Sequence, residues 1–180
     1  MSRSSADAVF ESTVHANEND LLRYFQRRLP NNADAADAFG ELLLIAWKLR
    51  RRVPSDPTGA RMWLFATARN VLRDSRRTLA RRSAAVDRLK SYIHTLAAPA
   101  WDDSAMEVRD ALNRLPEDDA ELIRLTYWEG LRSHEVAEVL RINPSTVRSR
   151  LSRAKDQLRA ALGDPESDRE EHISVRTASV

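Results

Sequence analysis

The sequence predicts an all-α protein. Only four glycines occur in 180 residues, period-two alternation is scarce, and apolar residues recur three and four positions apart almost throughout. With 42% apolar and 31% charged residues, the chain can bury a real core, and its length suits one domain or two small ones.

Taken in order, the elements fall into two helical modules joined by a linker. Residues 1–17 are polar and unpatterned and read as a flexible arm. A first helix is expected near Asp20–Leu29, where Leu21, Leu22, Phe25 and Leu29 keep helical spacing and Pro30 stops it. A second runs from about Ala33 to Val53 and carries Leu42, Leu43, Ile45, Ala46 and Leu49. The stretch P-S-D-P-T-G at 54–59 is a break, and a third helix runs from about Ala60 past Arg77. These make a first module over 18–77. Apolar spacing loosens over 78–104, which closes on A-A-P-A-W-D-D-S and reads as a linker.

The second module spans 105–163. Val108, Ala111, Leu112 and Leu115 form one apolar stripe. Leu122, Ile123, Leu125 and Trp128 form another, with Gly130 as the C-terminal cap. A short helix over Ser133–Leu140, capped by Ser133, precedes the stretch from Asn143 to Arg159. The tail, 164–180, opens D-P-E-S-D-R-E-E-H and is expected to be disordered.

Bulk chemistry excludes several function classes. Net charge is only +2, so any basic character must be local. The absence of cysteine removes disulfides and thiolate metal sites. No apolar run approaches the roughly 18 residues of a membrane span, and the N-terminus lacks a signal peptide's apolar core. A soluble cytoplasmic protein without membrane insertion is expected. The segment H134-E-V-A-E138 resembles the zinc-protease pattern but has Glu where the second His must stand. Neither a metal nor any other cofactor is expected. No nucleophile elbow, phosphate loop or dinucleotide fingerprint occurs, so no catalytic residues are assigned.

The stretch from Asn143 to Arg159 holds five basic side chains and one acid. At about 100° per residue, Val147, Leu151, Ala154 and Leu158 share a narrow arc that must be buried. Opposite lie Arg148, Ser149, Ser152, Arg153 and Asp156, flanked by Lys155 and Arg159. Asn143 suits the N-cap and Pro144 the first helical position. A short helix, a three-residue turn and this second helix form a helix-turn-helix, whose second helix fits the DNA major groove. Many such turns use Gly for a positive φ, whereas Arg141 occupies that neighbourhood here, so a differently built turn is expected.

In the third helix Leu64, Phe65, Ala68, Val71 and Leu72 define the buried face. Trp63 falls opposite, in line with Thr67, Asn70, Asp74 and Arg77. Either it stacks on unpaired bases or another part of the chain covers it. Arg69, Arg73, Arg76, Arg77, Arg81 and Arg82 follow, a run suited to phosphate contact. On the second helix Asp34, Asp37, Glu41 and Lys48 share one side. With no His nearby, and two acids in the first turns where the macrodipole favours them, a protein-docking face is the better reading than catalysis.

Together these residues resemble the extracytoplasmic-function (ECF) sigma factors of bacterial RNA polymerase. The resemblance covers roughly residues 20–162. A-L-N-R-L-P-E-D-D-A-E-L-I-R-L-T-Y-W-E-G-L-R-S-H-E-V-A-E-V-L, then S-T-V-R-S-R-L-S-R-A-K-D-Q-L-R, is similar to the family's region 4. The segments D34-A-A-D37 through A46-W47, and W63-L-F-A-T-A-R-N70-V-L-R-D74-S-R-R, are similar to region 2. The resemblance implies a non-enzymatic factor that initiates transcription by recognising −35 and −10 promoter elements. Arg148, Ser149, Ser152 and Arg153 would face the −35 element. Trp63, Asn70, Arg73, Asp74, Arg76 and Arg77 would lie near the −10 element, and Asp34, Asp37 and Glu41 at the β′ clamp. Implied partners are core RNA polymerase, through β′ and β, and promoter DNA; the resemblance also allows an anti-sigma factor. Two positions depart from the family: Gly40 stands where Gln is usual, and Ser152 where a larger side chain is common. The rival reading is a stand-alone helix-turn-helix transcriptional regulator, which predicts tight duplex binding without polymerase at a two-fold symmetric site.

Overall fold

The structure, a computed structural model, describes residues 3–90 and 103–162, with side chains for 7–82 and 107–162. Every regular element among these is a helix. The chain divides into two compact units: α1–α3 build the first, and α4, α5, the start of α6 and α7 the second.

In the first unit α1 (Arg3–Gln26), α2 (Asn32–Lys48) and α3 (Pro57–Lys90) pack pairwise into a bundle, with a 3-10 turn at Arg50–Arg52. Leu21, Tyr24 and Phe25 of α1, Leu42 of α2, and Met62, Leu64 and Phe65 of α3 are fully buried. Tyr24 meets Phe65 edge-on at 5.7 Å between centroids, one of the aromatic contacts that fix the bundle. Arg61 ties α3 to α1 by donating to Asn17 Oδ1 and Asp20 Oδ2, each at 2.8 Å. Local chemistry sets the helix starts. The Asn31 side chain accepts from the Asp34 amide at 2.8 Å and donates to the Asp34 carboxylate at 2.7 Å. Asp56 accepts from the Gly59 amide at 2.6 Å, with Pro57 in the first helical position.

The second unit comprises α4 (Asp103–Arg114), α5 (Glu117–Tyr127), the start of α6 (Ser133–Leu140) and α7 (Pro144–Leu162). Leu112, Ile123 and Ala154 form its core, with Leu115, Trp128, Leu151 and Leu158 packed around them. Gly130 adopts φ +66°, and the next amide, Leu131 N–H, reaches back to the Leu125 carbonyl at 3.0 Å. That left-handed step is why glycine suits the end of α5.

Four expectations need correction. The flexible arm expected over 1–17 is helical from Arg3 onward, because Phe10, Val14, Asn17 and Leu21 continue the face that α1 turns inward. The second helix ends at Lys48 rather than Val53, since the backbone tightens into the 3-10 turn. The span 78–104 is not linker throughout: α3 continues to Lys90 and α4 begins at Asp103. Finally, Ser133 is not the cap of α6. Arg132 holds that position, and the Glu135 carboxylate accepts its amide at 2.7 Å. Residues 91–102 and the tail 164–180 lie outside the described residues.

Candidate functional site

The helix-turn-helix is built from backbone upward. At the end of α6 the Ile142 amide bonds the Ala137 carbonyl at 3.0 Å, and the Arg141 amide bonds that of Glu138 at 3.3 Å. Arg141 itself sits at φ +56°. This is a Schellman cap with arginine in the left-handed position, so the turn is built in the ordinary way although it lacks glycine. α7 then restarts on Asn143, whose Oδ1 accepts from the Ser145 amide at 3.1 Å, with Pro144 as first residue.

On α7, Val147 and Ala154 are buried, Leu151 and Leu158 half-buried, and Arg148, Ser149, Ser152 and Arg153 all exposed. The four residues expected to face DNA therefore share one solvent-facing surface. The five basic side chains do not act alike. Arg150 turns aside to donate to Asp119 of α5 at 2.7 Å, with Asp118 at 3.9 Å, and Arg159 reaches Asp156 at 3.3 Å. Arg148 and Arg153 make no hydrogen bond or ion pair among the described residues, which leaves their guanidinium forks open to an external acceptor.

On α3, Asn70, Arg73, Asp74 and Arg77 are exposed, while Trp63 and Arg76 are half-buried. Trp63 is thus neither a core residue nor a fully open platform. Its backbone carbonyl accepts the Thr67 hydroxyl at 2.8 Å, a contact local to the helix. Asp34, Asp37 and Glu41 of α2 line a cleft of ≈ 200 Å³ that also takes in Asp74, Thr78 and Arg82 of α3. Asp74, expected among the −10 residues, lines the same cleft as the three acids. The Asp34 carboxylate is partly occupied by its own helix cap.

Sequence reasoning missed a second surface on α2. Leu44 is 62% and Trp47 42% exposed. With Leu43 and Gly40, and with Phe10 and Val14 from α1, they line an apolar groove of ≈ 540 Å³. The signal was present as a second apolar arc on α2, about 140° from the buried arc of Ala35, Ala38, Leu42 and Ala46. Among the described residues no group of His, Cys, Asp and Glu could hold a metal ion, and no helix is long and apolar enough to cross a membrane.

Comparison with known proteins gives these faces a context. Residues 13–82 match the Sigma-70 region 2 family and residues 105–158 match Sigma-70, region 4. The ECF RNA polymerase sigma factor SigL of Mycobacterium tuberculosis is 32% identical over 145 residues, covering 79% of this chain and 82% of that protein. The ECF sigma factor EcfG of Rhodopseudomonas palustris is 31% identical over 146 residues, 78% of each chain. The fold is similar to that of the sigma factor RpoE from Bartonella quintana, solved with the anti-sigma factor NepR. That likeness has a TM-score of 0.67 and 22% identity over 87% of this chain and 98% of that one. A helix-turn-helix with an open arginine face, the two sigma regions in order and relatives matched over most of their length lead to one conclusion: the chain belongs to the ECF sigma factors, which direct bacterial RNA polymerase to promoters.

Proposed function

We propose that the two units divide promoter recognition between them. The second unit lays α7 in the major groove of the −35 element. Arg148 and Arg153 reach base edges or phosphates there, and Ser149 and Ser152 supply short polar contacts. The open guanidinium groups of Arg148 and Arg153, opposite the buried Val147 and Ala154, are the observation that carries this reading. In the first unit, Trp63, Asn70, Arg73, Arg76 and Arg77 line one long side of α3 and serve the −10 element. A half-buried Trp63 can offer one ring face to an unpaired base while its other side stays seated. Asp74 stands beside this set and shares the cleft of the α2 acids.

Core polymerase docks on α2, through its β′ clamp. Asp34, Asp37 and Glu41 supply an acidic ridge, and Leu44 and Trp47 an apolar strip beside it. The protein works in the cytoplasm and carries no catalysis of its own. It gains its chemistry from the polymerase. Because the similarly folded sigma factor RpoE of Bartonella quintana is seen with the anti-sigma factor NepR, an anti-sigma partner that sequesters the free chain belongs to the proposal.

Transcription in vitro with purified core polymerase, with and without this protein, tests the proposal on a genomic template library. Protein-dependent 5′ ends sharing two dissimilar upstream elements at fixed spacing are expected. No new start sites and no co-elution with core polymerase would reject it and favour a stand-alone regulator.

A further inference from the structure

Trp47 is exposed and yet held. The Phe10 ring meets it edge-on, 5.4 Å between centroids at 70°. The Arg50 guanidinium lies 4.1 Å from its ring centre, while Arg50 Nη1 donates to the Trp47 carbonyl at 3.0 Å. Arg50 is in turn fixed by Asp7, whose carboxylate accepts from Nε. Both charged side chains are mostly shielded, at 19% and 32% exposure. Two of these four residues, Asp7 and Phe10, come from the first turns of α1, ahead of residue 13, where the region 2 match begins.

We infer that these first turns of α1 preorganise Trp47 as the anchor of the polymerase-docking surface. The inference rests on the reading that α2 docks core polymerase. A large aromatic that is simply completing the bundle would be buried, whereas Trp47 and its neighbour Leu44 remain open to solvent beside a groove walled by Phe10 and Val14. Tryptophan and arginine are the side chains that most often carry interface energy. An anchor already locked in place spares the entropy of immobilising it on binding. The occupant is a helix of core polymerase with an apolar stripe flanked by Lys or Arg. Its apolar side chains fill the groove, and its cations meet the adjoining ridge of Asp34, Asp37 and Glu41. Asp7 is a positioning residue that acts through Arg50 and Trp47 and need not touch the partner, whereas Phe10 both seats Trp47 and walls the groove.

The test is a double-mutant cycle on the full chain, read as affinity for purified core polymerase. Asp7→Ala is expected to weaken binding about fivefold in the wild-type background and to change it less than about twofold in the Trp47→Ala background, because coupled residues lose additivity. Phe10→Leu, a milder change to the fold, is expected to follow the same pattern. Unchanged affinity of both variants, or an equal loss in both backgrounds, would overturn the inference. If Leu44→Asp and Trp47→Ala themselves bind core polymerase like wild type, the docking reading fails, a result separable from failure of the α1 contribution alone.

Discussion

The exposed face of α7 and the exposed face of α2 solve opposite problems. On α7 the side chains proposed to read DNA include two that are long, charged and unpaired among the described residues, Arg148 and Arg153, projecting from a stripe of small serines. On α2 an apolar strip of Leu44 and Trp47 stands open beside the exposed Asp37 and Glu41, and its aromatic is pinned by Phe10 and Arg50. A DNA-reading face gains from side chains that can search among phosphates and base edges, since most of its affinity is electrostatic. A protein-docking face gains from rigidity, because its energy comes from shape and apolar burial. The contrast also separates the arginines of α7 from one another. Arg150 has a carboxylate partner on α5 and stitches the second unit together, whereas Arg148 and Arg153 have none among the described residues.

Substitutions can break this comparison at either end. The largest effect is expected for Trp47→Ala, about 2–4 kcal/mol of core polymerase affinity by the usual scale of an interface anchor. Surface-immobilised core polymerase measures it, and duplex binding by the second unit should not change. Next come Arg148→Ala and Arg153→Ala, each expected to remove about 1–3 kcal/mol of −35 discrimination. Competitive transcription from promoters that differ only in that element gives the readout, and core binding should be retained. Arg150→Ala is expected to act on the fold instead, lowering the unfolding free energy by about 1 kcal/mol through loss of its ion pair with Asp119. Denaturant unfolding of the full chain measures this, and base preference should stay as it was. The smallest effect is a gain. At Gly40 an added Cβ meets nothing within 4 Å, so Gly40→Ala should stabilise α2 by about 0.5–1 kcal/mol, seen as a higher melting temperature.

Much of this was legible in the sequence where one helix face is apolar and the other is not. The stripe of Val147, Leu151, Ala154 and Leu158 fixes which side of α7 is buried, and Asn143–Pro144 fixes where it starts. Legibility failed for identifiable reasons. α2 carries apolar residues on two arcs, and periodicity alone cannot say which arc finds the core, so Leu44 and Trp47 passed unnoticed. The first turns of α1 mix Phe10 and Val14 with polar neighbours, and their burial depends on packing against α2 rather than on local preference. Arg141 takes a left-handed conformation that its side chain does not advertise, imposed by the Schellman bonds at the end of α6. Nor can spacing along α7 reveal that Arg150 meets a carboxylate 31 residues away.

The central claim is that polymerase docking and promoter reading reside on separate faces of this sigma factor. It is tested most directly by measuring core binding and promoter-specific run-off transcription side by side for Trp47→Ala and for the Arg148→Ala/Arg153→Ala double variant. The account predicts that Trp47→Ala loses both, whereas the arginine variant keeps core affinity and loses −35-dependent transcription. Loss of core binding by the arginine variant, or full transcription by Trp47→Ala, would contradict it.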